Sequence, residues 1–192
     1  MNVSTHVVKI LGMSGSLRRD SYNKAALRAA LDLLPEGAEL KIIDLAPIPF
    51  FNEDLEGQAL PEAVLELASG VQAADALLLA TPEYNYSVPP VLKNAIDWIS
   101  RPSTGAFVIG KPAALMSAST GMFGGARAQY HLRQTCVVCN IMPLNHPEVF
   151  IMQAQNKFDQ DLRLTDDFTR NAIKNLLQAL VDWTRLLKGN MG

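Results

Sequence analysis

Three stretches of this chain gather residues able to do chemistry. The first is Gly12–Asn23, GMSGSLRRDSYN. Gly12 and Gly15 allow a tight turn and close approach of main chain to a ligand. Ser14, Ser16, Ser21 and Asn23 are neutral hydrogen-bonding groups, and Arg18 and Arg19 add positive charge. A helical pattern starts near Tyr22, so unpaired N–H groups and the positive end of a helix dipole join the set. The combination suits an anion, most simply a phosphate. It is not a G-x-G-x-x-G fingerprint, since after Gly15 the next glycine is Gly37. Nor is it a Walker A loop, which ends in Gly-Lys-Ser/Thr. A polar strand-to-helix turn with a serine or asparagine cap is the plainer alternative.

The second stretch is Thr81-Pro82-Glu83-Tyr84-Asn85-Tyr86. Pro82 fixes a backbone angle and removes a donor. Tyr84 offers a flat face to cover a ring, and Asn85 and the free N–H groups can bond a heterocycle edge. A tight turn whose tyrosines only pack on the next helix remains open. The third stretch holds Ser117, Ser119, Thr120, Gly121, Gly124 and Gly125, then Arg127, Gln129, Tyr130, His131 and Arg133. Its glycines would let main chain meet a ligand edge-on, or let a helix pack close to a sheet. The cysteines form Cys136-Val137-Val138-Cys139. They sit late in a helical pattern rather than at a helix start after a strand, so buried thiols are favoured over a redox pair or half a metal site. No catalytic triad and no zinc set is evident.

The elements that must position these stretches follow from periodicity. Apolar runs predict strands at Val7–Met13, Glu39–Leu45, Asp75–Thr81 and Ala113–Ser119, with a short fifth at Ile141–Leu144. Helical spacing predicts helices over Asn23–Leu34, Pro61–Val71 and Ala126–Cys139, and one opened by Pro89-Pro90, carrying Val91, Leu92, Ala95, Ile96, Trp98 and Ile99, and ended by Pro102 and Gly105. A last helix opens at Thr165-Asp166-Asp167 and runs to Leu187, with Phe168, Ile173, Leu176, Leu177, Leu180, Trp183 and Leu187 as its apolar stripe. Ala46–Leu60 reads as a long loop, either functional or tied down by Ile48, Phe50 and Phe51, and residues 145–164 read as irregular. Strands alternating with helices predict an α/β fold: a flavodoxin-like, doubly wound, five-stranded parallel sheet, order 2-1-3-4-5, with helices on both faces. In such a sheet the loops after strands one, three and four converge where strand order reverses. Those are the three stretches above.

The chain has 192 residues, 48% of them hydrophobic, and a net charge of −2. This suits one domain over residues 1–192, and bulk charge lends no support to a nucleic-acid partner. No apolar run reaches membrane-spanning length and no secretory signal is read, so a cytoplasmic location is expected. A phosphate cradle, an aromatic turn and a glycine-rich turn together suit a phosphorylated flat heterocycle, and FMN fits well. A dinucleotide stays open because Asp44 follows the second strand, where a ribose-binding acid belongs.

Gly15-Ser16-Leu17-Arg18, Ser21-Tyr22-Asn23, the run Thr81–Pro89 and the run Leu92–Trp98 resemble the NADPH-dependent FMN reductase family. Gly124-Gly125-Ala126-Arg127 and Tyr130-His131-Leu132-Arg133-Gln134 resemble its quinone and chromate reductase branch. The resemblance implies that Ser16, Arg18, Ser21 and Asn23 hold the FMN phosphate. Pro82, Glu83, Tyr84 and Asn85 would line the isoalloxazine ring, largely through main chain. Ser119 would reach the flavin, with Gly121 and Gly124 shaping the turn. It implies an NADPH or NADH donor and ping-pong transfer to quinones, flavins, azo compounds or chromate, with no catalytic protein nucleophile and no metal. Two alternatives remain: a flavodoxin-type electron carrier, and a non-catalytic nucleotide-binding module. The apolar cluster of Tyr86, Val88, Pro89 and Pro90 predicts a homodimer bordering the site, with Tyr86 and Arg127 near the interface, and the resemblance also allows a dimer of dimers.

Overall fold

A computed structural model describes residues 6–189. Four parallel strands, β1 (Val8–Ser14), β2 (Ala38–Ile43), β3 (Ala76–Thr81) and β4 (Pro112–Ala118), lie in the order β2-β1-β3-β4. The fifth position is divided. β5 (Met142–Pro143) pairs with the start of β4, and β6 (Val149–Ile151) pairs with its end. The predicted order is therefore correct, but the sheet has six strands rather than five. The expected strand at Ile141–Leu144 is reduced to Met142–Pro143, although the Leu144 N–H still bonds the Ala113 carbonyl at 2.9 Å. The stretch read as irregular resumes the position through Val149-Phe150-Ile151.

Helices cover both faces. α1 (Tyr22–Leu31) and α5 (Asp167–Gly189) lie on one, against Val8, Ile10, Leu78 and Met116. α2 (Glu62–Ala73), α3 (Pro90–Ile99) and α4 (Ala126–Val138) lie on the other, against Leu11, Met13, Leu77, Leu79 and Leu115. Successive strand residues therefore enter opposite cores, which explains why β3 and β4 are buried throughout and read as unbroken apolar runs.

The long loop after β2 is held down by hydrogen bonds. The Asn94 amide accepts the Phe51 N–H at 2.7 Å and donates to the Pro49 carbonyl at 2.9 Å. Fully buried Trp98 donates from Nε1 to the same carbonyl at 2.8 Å, and Phe51 packs edge-on against its ring. Ile48 also packs on the core, but Phe50 is 77% exposed and anchors nothing.

Some helix bounds differ from expectation. α1 ends at Leu31, where the Asp32 and Leu33 N–H groups fold back to the Ala29 and Ala30 carbonyls, three residues short of the predicted Leu34. Phe168 is 81% exposed, so the buried stripe of α5 begins at Thr169 and Ile173. Cys136 is buried and its thiol is pushed up to about 12 by desolvation, and burial raises half-buried Cys139 as well. Both are free thiols at neutral pH.

The start of α5 carries a pH-dependent clasp. Asp166 accepts the Thr169 N–H at 2.9 Å and the Thr169 hydroxyl at 2.6 Å, and pairs with Lys157 at 2.7 Å. The Lys157 ammonium and the Thr169 donors hold the Asp166 carboxyl down at about 2. A carboxylate depressed on folding stabilises the fold above its unfolded-state value, and that contribution disappears as pH falls through the folded one. Asp166→Asn should lower the urea midpoint at pH 7, and the gap from wild type should close as pH is taken from about 4 toward 2.

Candidate functional site

The carboxyl ends of β1, β3 and β4 open into a cleft of about 180 Å³, lined by Ser16, Arg18, Ser21, Tyr22, Asn23, Pro82, Glu83, Tyr84, Ala118, Ser119 and Thr120. Eight of the eleven predicted residues line it. The other three do not. Asn85 stands at an exposed turn tip, and Gly121 and Gly124 lie outside the lining. A Cβ on Gly124 would come within 3.0 Å of the Phe150 backbone, and its φ is +57°, so this glycine serves the close approach of the loop to β6. Larger hollows lie elsewhere, one of about 430 Å³ between β1, β2 and α2 and one of about 600 Å³ beside α1, but the three predicted loops build neither. Asp44 lines a separate hollow with Ser14, Lys24 and Arg28, not this cleft.

The first loop supplies donors. Ser21 caps α1, its hydroxyl accepting the Lys24 N–H at 3.3 Å, while the Ala25 N–H bonds the Ser21 carbonyl. The N–H groups of Tyr22 and Asn23 are thereby left without partners among the described residues, as helix geometry requires. Ser16 is buried with its hydroxyl 3.5 Å from the Tyr84 hydroxyl, and Arg18 lines the cleft without an ion-pair partner among the described residues. Two main-chain donors, serine hydroxyls and an unpaired guanidinium fit a phosphate group.

Two expectations for this loop need correction. The Asn23 side chain is not available to a ligand. Its amide donates to the Ala118 carbonyl and accepts the Ala118 N–H, both at 2.9 Å, in a buried pair that ties α1 to the end of β4. The two glycines are required by neighbours within the chain itself. A Cβ on Gly12 would press on Leu27 and Leu40, and one on Gly15 would lie 2.5 Å from Pro89 and 3.2 Å from Pro82 and Leu92. Gly15 lets the loop after β1 pack on the loop after β3.

The second loop is a two-residue hairpin. Tyr84 and Ser87 exchange both main-chain hydrogen bonds, at 3.1 and 2.9 Å. Asn85 (φ 49°) and Tyr86 (φ 66°) both take the left-handed region, as a type I′ turn demands. Asparagine tolerates this, whereas tyrosine occupies the position glycine prefers, at roughly 1 kcal/mol or more.

Helix α4 holds that turn from outside. Arg127 places its guanidinium 3.7 Å from the Tyr86 ring centroid and 4.5 Å from that of Phe123. His131, one turn on, bonds the Ser87 hydroxyl through Nδ1 at 3.0 Å. Glu83 closes the assembly. One carboxylate oxygen takes the Arg127 Nε and Nη2 groups, both at 2.6 Å, and the other takes the Arg127 main-chain N–H at 3.1 Å. Gly125, the residue before α4, has no side chain to cap the helix, so Glu83 supplies the cap from another loop.

The third loop is fixed from below. Ser117 donates to the Gly124 carbonyl at 2.6 Å and accepts from the Gln129 amide at 2.8 Å, and Gln129 also donates to the Val149 carbonyl of β6 at 2.9 Å. Ser119 accepts the Gly121 N–H at 3.1 Å. Sequence reading missed Glu83–Arg127, His131–Ser87 and the Gln129 bridge, because their partners lie 44, 44 and 12 to 20 residues apart. Only Asn85-Tyr86 carried a local signal, as an asparagine at a turn tip.

Comparison with known proteins agrees with this geometry. Residues 8–156 match the NADPH-dependent FMN reductase family. An NAD(P)H-dependent FMN reductase of Pseudomonas aeruginosa is 55% identical over 182 residues, spanning 95% of this chain and 98% of its own. An NAD(P)H:quinone oxidoreductase of Solanum tuberosum is 42% identical, spanning 95% and 96%. Among solved structures, the flavoenzyme NAD(P)H:(acceptor) oxidoreductase FerB of Paracoccus denitrificans superposes with a TM-score of 0.84 at 35% identity, over 93% of this chain and 98% of that one.

The Asn23 pair is the local link with a clear stability consequence. Asn23→Ala should strand a buried N–H and a buried carbonyl of Ala118 and lower the unfolding free energy by about 2 to 4 kcal/mol, read as a shift in the urea midpoint of the flavin-free protein.

Proposed function

We infer the function of this chain from a plain premise: it belongs to the NADPH-dependent FMN reductase family. It is an FMN-dependent NAD(P)H oxidoreductase acting on quinones and flavins. The readings as electron carrier or non-catalytic module give way to an enzyme. No helix among the described residues is long and apolar enough to cross a membrane. We further propose a cytoplasmic location, and azo compounds and chromate as additional acceptors.

The observation that carries the site assignment is the cleft at the ends of β1, β3 and β4, with its unpaired donors at one end and its strained turn at the other. In this reading bound FMN would supply the hydride and electron transfer between nicotinamide and acceptor. The chain's part is binding, orientation and electrostatics. Ser16, Arg18 and Ser21, with the N–H groups of Tyr22 and Asn23, hold the phosphate. Asn23 contributes through main chain alone, because its side chain fixes Ala118. Main chain at Pro82, Glu83, Tyr84 and Asn85 borders the ring, and Ser119 faces it from the third loop. Gly121 and Gly124 act by shaping that loop. No protein nucleophile takes part, and donor and acceptor use one opening in turn, giving ping-pong kinetics.

Oligomerisation belongs to the same proposal. Tyr86, Met122, Phe123 and Tyr130 are large, exposed and close to the cleft rim, and Val137 and Val138 are exposed at the end of α4. We propose that this face is covered by a second copy, as a homodimer or a dimer of dimers.

The purified protein should be yellow and should oxidise NADPH when a quinone is supplied. Arg18→Ala should weaken FMN binding on the order of tenfold, since one charge-assisted phosphate contact is lost, with little change in urea midpoint. Flavin-fluorescence titration measures this, and full flavin occupancy with lost turnover would refute the loop as phosphate anchor. Light scattering at micromolar concentration should give at least twice the chain mass, and a monomer there would remove the proposed interface.

A further inference from the structure

We propose that Glu83 and Arg127 form a charge gate that sets acceptor specificity, favouring neutral flat acceptors over anionic ones. The proposal rests on the reductase reading above and ranks its acceptors. Glu83 lines the cleft, with its side chain only 9% exposed, and Arg127 stands behind it at 37%. An unpaired guanidinium at this rim would attract any oxyanion. Here its charge is cancelled at 2.6 Å by a carboxylate that also takes the helix N–H. The rings of Tyr86 and Phe123 lie against the guanidinium, with centroids 3.7 and 4.5 Å away. Toward the cleft the pair therefore presents a carboxylate whose charge is already matched, and little net charge. The cation that lines the cleft itself is Arg18, which the phosphate engages in the reading above. His131 meets the rim through its bond to the Ser87 hydroxyl. A neutral planar ring can stack on such a surface, whereas an anion gives up hydration and finds its cation already paired.

The pair makes opposite predictions for its two members. Glu83→Gln keeps an acceptor for the helix N–H but frees the positive charge, and Arg127→Gln frees the negative one. Both loosen the same clamp, so a purely structural role moves both variants the same way, whereas a charge gate moves them apart. The experiment uses flavin-loaded enzyme, normalised by flavin absorbance, with NADPH as donor. Benzoquinone is the neutral acceptor and ferricyanide the anionic one. Each NADPH gives up two electrons and a proton, reducing one quinone to its quinol with a second proton from water, or two ferricyanide ions to ferrocyanide.

The readout is the ratio of kcat/KM for ferricyanide to that for benzoquinone. At low ionic strength it should rise roughly tenfold in Glu83→Gln and fall by a similar factor in Arg127→Gln, the scale expected for one charge acting on a multiply charged ion. Both shifts should shrink in about 0.5 M salt. The double variant should return toward the wild-type ratio. Arg127→Lys, which keeps the charge but loses the planar stacking, should stay within about twofold of wild type. This variant keeps the test decisive if Glu83→Gln does not fold. Shifts of the same sign in both glutamine variants, or a changed ratio in Arg127→Lys, would overturn the gate. A wild-type enzyme that reduces neither acceptor would instead overturn the reductase reading.

Discussion

The contact between Glu83 and Arg127 is the constraint on which the rest of the site depends. A single carboxylate joins the loop after β3 to the first turn of α4, and α4 begins where the loop after β4 ends. Three independent needs meet in it. The helix lacks a cap of its own, the half-buried arginine lies against two rings, and a tyrosine stands in a backbone conformation it would not choose. Each would be unfavourable alone. Together they hold one another, so the shape of the turn is imposed by α4 rather than by its own sequence.

This arrangement is possible because the sheet has already brought the loops together. β1 and β3 are neighbours although β2 and α2 intervene in the chain, and their opposite crossovers leave a gap at their carboxyl ends. Packing then narrows the gap. Gly15 admits Pro89 and Leu92 against the first loop, and Asn23 pins α1 to the last residue of β4. Residues that resemble ligand-binding groups in type are in part fasteners that bring unpaired main-chain N–H groups and Arg18 to one place.

What could be read in advance divides along the same line. Alternating apolar runs and helical stripes are local signals, and they foretold the strand order and the three converging loops. Asn23 was misread because an asparagine at a helix start offers the same polar atoms to a ligand or to a neighbouring strand, and only the position of Ala118 decides between them. Gly12 and Gly15 were misread likewise, since a missing side chain marks closeness without naming the neighbour. β6 is three residues between a proline and a polar turn, too short to show a period. Glu83 and Arg127 lie in separate local patterns that each made sense without the other.

The divided fifth position bears on how the molecule behaves among its own copies. A long outer strand would display a continuous row of unpaired N–H and C=O groups, a template on which another chain could add itself. Here the outer boundary beside β4 is made of pieces two and three residues long, separated by the bend at 144–148. At the opposite boundary β2 carries outward charges at Glu39 and Lys41. The sheet is thus interrupted on one side and charged on the other. Neither edge offers another copy of the chain a continuous, uncharged row of main-chain groups on which to add a strand.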